Sequence, residues 1–283
     1  MGGPETRGRS IGLRACGCAA AGLLLLLGGC TSGEGTEEGK AAGRTTAASP
    51  TPPTPAAVAP SPTGTVLSLV PALDESKQPR TSAEAHELLA RIVIAEDALG
   101  PDVVRSAPFE SDPGRWPVLD ADCVWQTEGL PPDVLATNTR YFHIPAANGH
   151  GRVRINTTVT VHRDRTESGW ETARAMEEVL RCPDQKLREG EHLKGLLGNS
   201  VYQGEQGNNW SEDAFNELGT HTEAGGGEPQ RYFWYQAQFG PVTVAVAGKN
   251  AAGYAENALM TLVVQGNSRM ISQAKQALGK AAG

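Results

Sequence analysis

Cysteine and histidine carry most of the chemistry that this 283-residue chain could perform. Cys30 follows Leu27-Gly28-Gly29, small residues that would admit a peptidase to the backbone and leave a thiol open to acylation. Tyr141, His143, Arg154 and Asn156 alternate along two adjacent segments, so they could line one sheet face and hold a ligand. His162 could share that face, but it lies several residue pairs away from His143. The six histidines are otherwise scattered, no His-Glu-x-x-His occurs, and no metal site is expected. Gly-x-Ser-x-Gly, phosphate-binding and dinucleotide-binding motifs are absent as well. Gly-Asn-Ser occurs at Gly198 and Gly266, but Tyr202 and Met270 stand where a nucleophile turn needs its second glycine. No catalytic residue and no cofactor follow from these motifs. Asp120 and Asp122 flank Cys123 with strand spacing, which would aim both carboxylates the same way. Calcium wants six or more oxygens and no ligand loop follows, so a solvated strand end is expected there.

Those groups need elements to place them. Arg7, Arg9 and Arg14 precede a small and apolar stretch from Ala15 to Leu27. That stretch suits the core of a secretory signal and is shorter than the ~18–20 residues that cross a bilayer. Cleavage before Cys30 would remove Glu5 and three arginines, taking 25 basic and 32 acidic residues to 22 and 31, near −9. Such a balance disfavours nucleic acid and anionic headgroups, which select clustered Lys and Arg. Cys16 and Cys18 would leave with the signal, and Cys30 would be modified. Cys123 and Cys182 then remain in an oxidising compartment, with one pairing open to them. A bridge over about 60 residues removes roughly 4 kcal/mol of unfolded-chain entropy. From Thr31 to about Pro62 the chain is polar and rich in Gly, Pro and Thr, and Ser49–Pro55 reads as an extended spacer. Val66–Pro79 is transitional. The folded domain is expected over 81–283, after a linker over 30–80.

Thr81-Ser82-Ala83-Glu84 is a capping box, and Leu88, Ile92, Ala95 and Leu99 share the helical face behind it, until Gly100-Pro101. Cys123-Val124-Trp125 reads as a short strand. Asn148-Gly149 suits a type I′ hairpin turn, which sets Ile144 opposite Val153 and Phe142 opposite Ile155. One face of that hairpin is apolar and the other polar, the pattern of an antiparallel sheet covered on one side. Ser168-Gly169-Trp170-Glu171 is a second capping box, opening a helix with Trp170, Ala173, Met176, Val179 and Leu180 apolar. Pro183 stops that helix after Cys182. Gly240-Pro241 fits a type II′ turn, pairing Phe239 with Val242, Ala237 with Val244 and Tyr235 with Val246. Trp234 then faces away from Tyr235, either in a second core layer under a helix or as an exposed binding aromatic, with the core favoured. Trp125 and Trp170 are expected in the core. A strand is expected around Val201-Tyr202, a loop over Ser211–Pro229, and a last helix over Tyr254–Leu278 with an interruption at Gly266-Asn267.

Leu27–Cys30 behind its arginines and leucines resembles the lipobox of bacterial lipoproteins. That resemblance implies diacylglycerol on Cys30, cleavage before it and further acylation such as palmitate on the new amine, enough acyl chain for stable anchoring. The order Cys123-x-Trp125, hairpin, Trp170–Leu180 helix, Cys182, Phe239–Val246 hairpin and closing helix resembles actinobacterial envelope lipoproteins. It is similar, too, to the PknH-type extracellular sensor domain of receptor kinases. The resemblance implies an α+β fold: an antiparallel sheet built from hairpins, helices on one face, one disulfide, and a groove for an unidentified ligand. The kinase relatives carry a further bridge that this chain lacks. The expectation is a lipid-anchored extracytoplasmic domain, a non-catalytic sensor or binding module for an envelope ligand or protein. The alternative is an envelope hydrolase whose site is not visible as a motif.

Overall fold

Turn chemistry decides the middle of the sheet. In the computed structural model, which describes residues 70–200, 211–225 and 227–281, Asn148 and Gly149 take φ values of 50° and 83°. They close a hairpin between β4 (Val134–Ile144) and β5 (Val153–His162), with Ile144 opposite Val153 and Phe142 opposite Ile155. Gly240, at φ 55°, turns β9 (Gln230–Phe239) into β10 (Val242–Lys249), with Tyr235 opposite Val246. Six further strands are β1 (Val104–Glu110), β2 (Arg115–Leu119), β3 (Trp125–Gly129), β6 (Gln185–Arg188), β7 (Glu191–Ser200) and β8 (Asp213–Thr222). The main sheet is ordered β1-β4-β5-β10-β9-β8-β7-β6, and every strand pairing in it is antiparallel. β2 and β3 form a separate two-stranded sheet beside β6.

Two helices cover one face, as expected. α1 (Ser82–Ile92) buries Ala85, Leu88, Leu89 and Ile92; α3 (Glu256–Leu278) buries Leu259, Val263, Met270, Ile271 and Ala274. Both close over Phe142, Ile155, Val159, Ala237, Val244 and Val246. The third helix, α2 (Arg165–Arg181), lies on the other face, over Thr243, Gln236 and Gln238. The face expected to be polar is therefore partly a second core, of Val179, Leu193, Leu196, Phe215 and Tyr232. It is also concave. Lys249 on β10 is hydrogen-bonded to Glu191 on β7, three strands away. At ~4.8 Å per strand, a flat sheet would hold those backbones too far apart.

Cys123 and Cys182 are joined, with Cα atoms 5.6 Å apart. Cys182 caps α2, and Cys123 sits at φ 61° in the turn before β3, not inside a strand. Asp120 makes that turn, because its carboxylate accepts the N–H groups of Asp122 and Val124 and a bond from Gln126. The pair of aspartates expected to point together thus divides, one of them spent on the backbone.

Several expected boundaries move. α1 ends at Ile92, since Ile92-Val93-Ile94 is a β-branched run that crowds a helix, and Leu99 reaches the core from beyond a short 3₁₀ turn. α2 starts at Arg165, capped by Asp164, so Ser168 is buried in its first turn instead of capping it. Trp170 is 59% exposed and Leu180 85% exposed, on the solvent side of α2, not in the core. The stretch expected as a loop holds β8. Its buried row carries Phe215, Glu217, Gly219 and His221, while Leu218 is 41% exposed on the opposite face, so the usual apolar-in, polar-out alternation is hidden. α3 is continuous through Gly266 and Asn267. A β-carbon at Gly266 would fall 2.9 Å from Leu99, and the Asn267 amide donates to the Tyr235 and Val244 carbonyls. The packed chain also begins ahead of Thr81: Leu73 bridges Gly279, and Pro79 is buried. Cys30, its signal, and the Val201-Tyr202 strand lie outside the described residues.

Candidate functional site

A cleft of about 780 Å³ opens between residues 72–80 and the first turn of α2. Arg80, Arg163, Arg165, Thr166, Glu75 and Glu212 contribute to its wall. Its acids are largely committed. Asp164 accepts from the N–H groups of Thr166 and Glu167, and Glu212 accepts from Gly240 N–H at 2.9 Å and faces Arg165 Nε at 3.1 Å. Arg163 is tied by Nε to the Pro132 carbonyl, while Arg80 stays exposed. Sequence held a clue to this wall, for Asp164-x-x-Glu167 is itself a capping pattern directly ahead of the one read at Ser168. The second, smaller opening, about 220 Å³, lies beside the disulfide, with Asp122, Asp184, Lys186 and His192.

Tyr141, His143, Arg154 and Asn156 do share the concave face, Tyr141 opposite Asn156 and His143 opposite Arg154. Neither opening is lined by any of the four. Arg154 is paired with Glu223, and His143 Nδ1 lies 3.1 Å from Ser106 Oγ. Burial pushes the His143 ring down, helped by nearby Arg152, and pushes the Tyr141 phenol up. One row along, Lys249, Glu191 and Arg188 form a linked set of charges. Trp234 packs under α2, edge-on to Phe215 at 6.1 Å, in the second core layer.

The nearest thing to an acid–base relay is sealed. His162 is 0% exposed, with Nε2 2.6 Å from Glu171 Oε2 and Nδ1 3.6 Å from Asp133 Oδ2. Thr243 Oγ1 donates to that same Glu171 oxygen at 2.5 Å. The hydroxyl therefore faces a carboxylate and not the imidazole, and a substrate has no path to either. This cluster seats α2 on the sheet.

Glu178 on α2 and Glu217 on β8 differ from it, because among the described residues neither carboxyl is held by a hydrogen bond. Burial raises Glu178 to about 7. Burial, then the Glu178 charge, raises Glu217 to about 8. Sequence could not reveal this pair: Glu178 reads as a solvated helix position, and Glu217 falls in the unread strand. Among the described residues, no three His, Cys, Asp or Glu side chains are grouped to hold a metal ion. No helix among them is long and apolar enough to cross a membrane.

No protein-family model matches the chain, and no curated protein matches it. Among solved structures it is similar to the extracellular domain of PknH from Mycobacterium tuberculosis, at 10% identity and a TM-score of 0.40. That alignment covers 69% of this chain and 99% of the other. The likeness is weak and at the level of fold.

Proposed function

We propose that the chain is an envelope lipoprotein of actinobacterial type, anchored through acylated Cys30, whose extracytoplasmic domain is a non-catalytic sensor or binding module. The observation that carries the binding role is the open cleft beside α2, walled by arginines and set apart from the sealed His162 cluster. The disulfide supports a location outside the reducing cytoplasm. Membrane contact runs through lipid, and the ligand is an envelope molecule or protein. An envelope hydrolase is the second reading. Glu178 and Glu217 favour it, because glycan hydrolysis employs two carboxyls of which one is kept protonated, as burial keeps Glu217.

Amide-shift mapping of the intact protein against fractionated envelope glycans and lipids separates the two. Binding predicts shifts at Arg80, Leu135, Arg163 and Thr166 with the added fraction recovered unchanged. Shifts confined to the Tyr141–Asn156 face would move the site there. Turnover that disappears in Glu217→Gln would replace the binding reading with the hydrolytic one.

A further inference from the structure

α2 is fixed at both ends but differently. In its first half Ser168 Oγ donates to the Gly240 carbonyl at 2.7 Å, and Gln236 donates to Thr172 at 2.9 Å. Glu171 binds His162 and Thr243 there as well. At its end Cys182 is covalently tied to Cys123. Between these anchors the contact is apolar, made by Ala175, Met176 and Val179. Val179 rests on β7, where a β-carbon at Gly198 would be 3.3 Å from its Cγ1. Gly198 is the register partner of Glu217, and Trp234 is the partner on the other side. Glu217, 9% exposed, thus lies under this part of α2, and Glu178 is the residue next to Val179.

We propose that Glu178 and Glu217 form a proton-operated latch between α2 and the sheet, closed when both carboxyls are neutral and loosened when both ionise. Arg181 and Arg174 favour the ionised Glu178 without outweighing its burial. Arg181 donates to the Asp120 and Leu119 carbonyls, and Arg174 reaches Asp133. Glu171 and Glu177 on α2 add negative charge. From β9 the Tyr232 phenol faces Glu217. From β5 and β10, Arg154 and Lys249 lie a row or more along, already paired with Glu223 and, on β7, Glu191. Glu178 loses its proton first, and its charge holds back the second. The second proton leaves only into water, so two like charges remain in an apolar seam. Water must then enter, and the span Ala175–Arg181 lifts while its ends stay tied. The operating range, about 7 to about 8, lies at and just above neutral.

Hydrogen exchange on the intact protein at about pH 6 and about pH 8.5, corrected for intrinsic base catalysis, reads the latch directly. Amides of Ala175–Arg181 lose about tenfold protection at the higher pH while α3 does not, and the Glu178→Gln/Glu217→Gln variant keeps its protection. Unchanged protection in the wild type, or the same loss in the variant, overturns the proposal. Difference infrared spectra of the wild type provide a second reading that needs no variant. A protonated carboxyl carbonyl band present near pH 6 is largely lost near pH 8.5, and its absence at the lower pH also overturns the proposal.

Discussion

Replacing both bridged cysteines, Cys123→Ser with Cys182→Ser, tests how much of the domain depends on one covalent tie. The bridge spans 59 residues, and closing a loop of that length withdraws about 4 kcal/mol of entropy from the unfolded chain. For a domain of this size each kcal/mol moves Tm by about 2–4 °C, so the fall is roughly 8–16 °C. The folded state keeps most of its geometry. Lys186 N–H still donates to the Cys123 carbonyl at 2.9 Å, Trp125 Nε1 to Gln185 at 2.8 Å, and Arg181 to the Asp120 carbonyl. Calorimetry of the double variant, without reductant, gives the shift. Exchange mapping places the extra opening in β2, β3 and the last turn of α2, with α1 and α3 unchanged. A Tm within about 2 °C of wild type would refute the reasoning, since it would mean the bridge constrains nothing that folding must order.

Glu217→Gln removes a pH dependence of defined sign. A carboxyl raised by burial binds its proton more tightly folded than unfolded, so stability falls as pH rises from about 4.5 toward about 8. The variant loses that slope, matches wild type near pH 4.5, and exceeds it by about 2–4 kcal/mol at pH ~7.5, read by urea unfolding. Parallel slopes would contradict it. Asn267→Ala deletes the two bonds that fix α3 to β9 and β10 and leaves a small void, costing about 2–3 kcal/mol in the same assay. Glu171→Ala strips a fully buried imidazole and a hydroxyl of their shared acceptor, costing about 3 kcal/mol, while Glu171→Gln costs less. A neutral result in either case would mean water replaces the lost partner.

What was legible in the chain was local. Asn148-Gly149 and Gly240-Pro241 demand particular backbone angles, and those angles fix the register of four strands. Thr81 and Glu84 cap their helix as read, with Thr81 Oγ1 accepting the Glu84 N–H at 3.2 Å. Two lone cysteines paired. What escaped reading depends on neighbours distant in sequence. β8 hides its alternation because its buried row carries Glu217, Gly219 and His221, held inside by tertiary packing, while Leu218 lies exposed on the opposite face. Asn267 reads as a helix breaker until Tyr235 and Val244 arrive beneath it. Trp170 reads as core because helix periodicity gives no phase; the phase is set by which side of α2 meets the sheet. The cleft joins residues 72–80 to residues 163–166 and 212, a conjunction that only folding makes.

Intact mass analysis of the protein extracted from the producing cell's membranes bears most directly on the tethered-module account. It predicts a chain beginning at Cys30, heavier by a diacylglyceryl group, with Cys123 and Cys182 resistant to alkylation until reduced. A chain that still carries residues 1–29, or a soluble one starting at an unmodified residue with both thiols free, would contradict it.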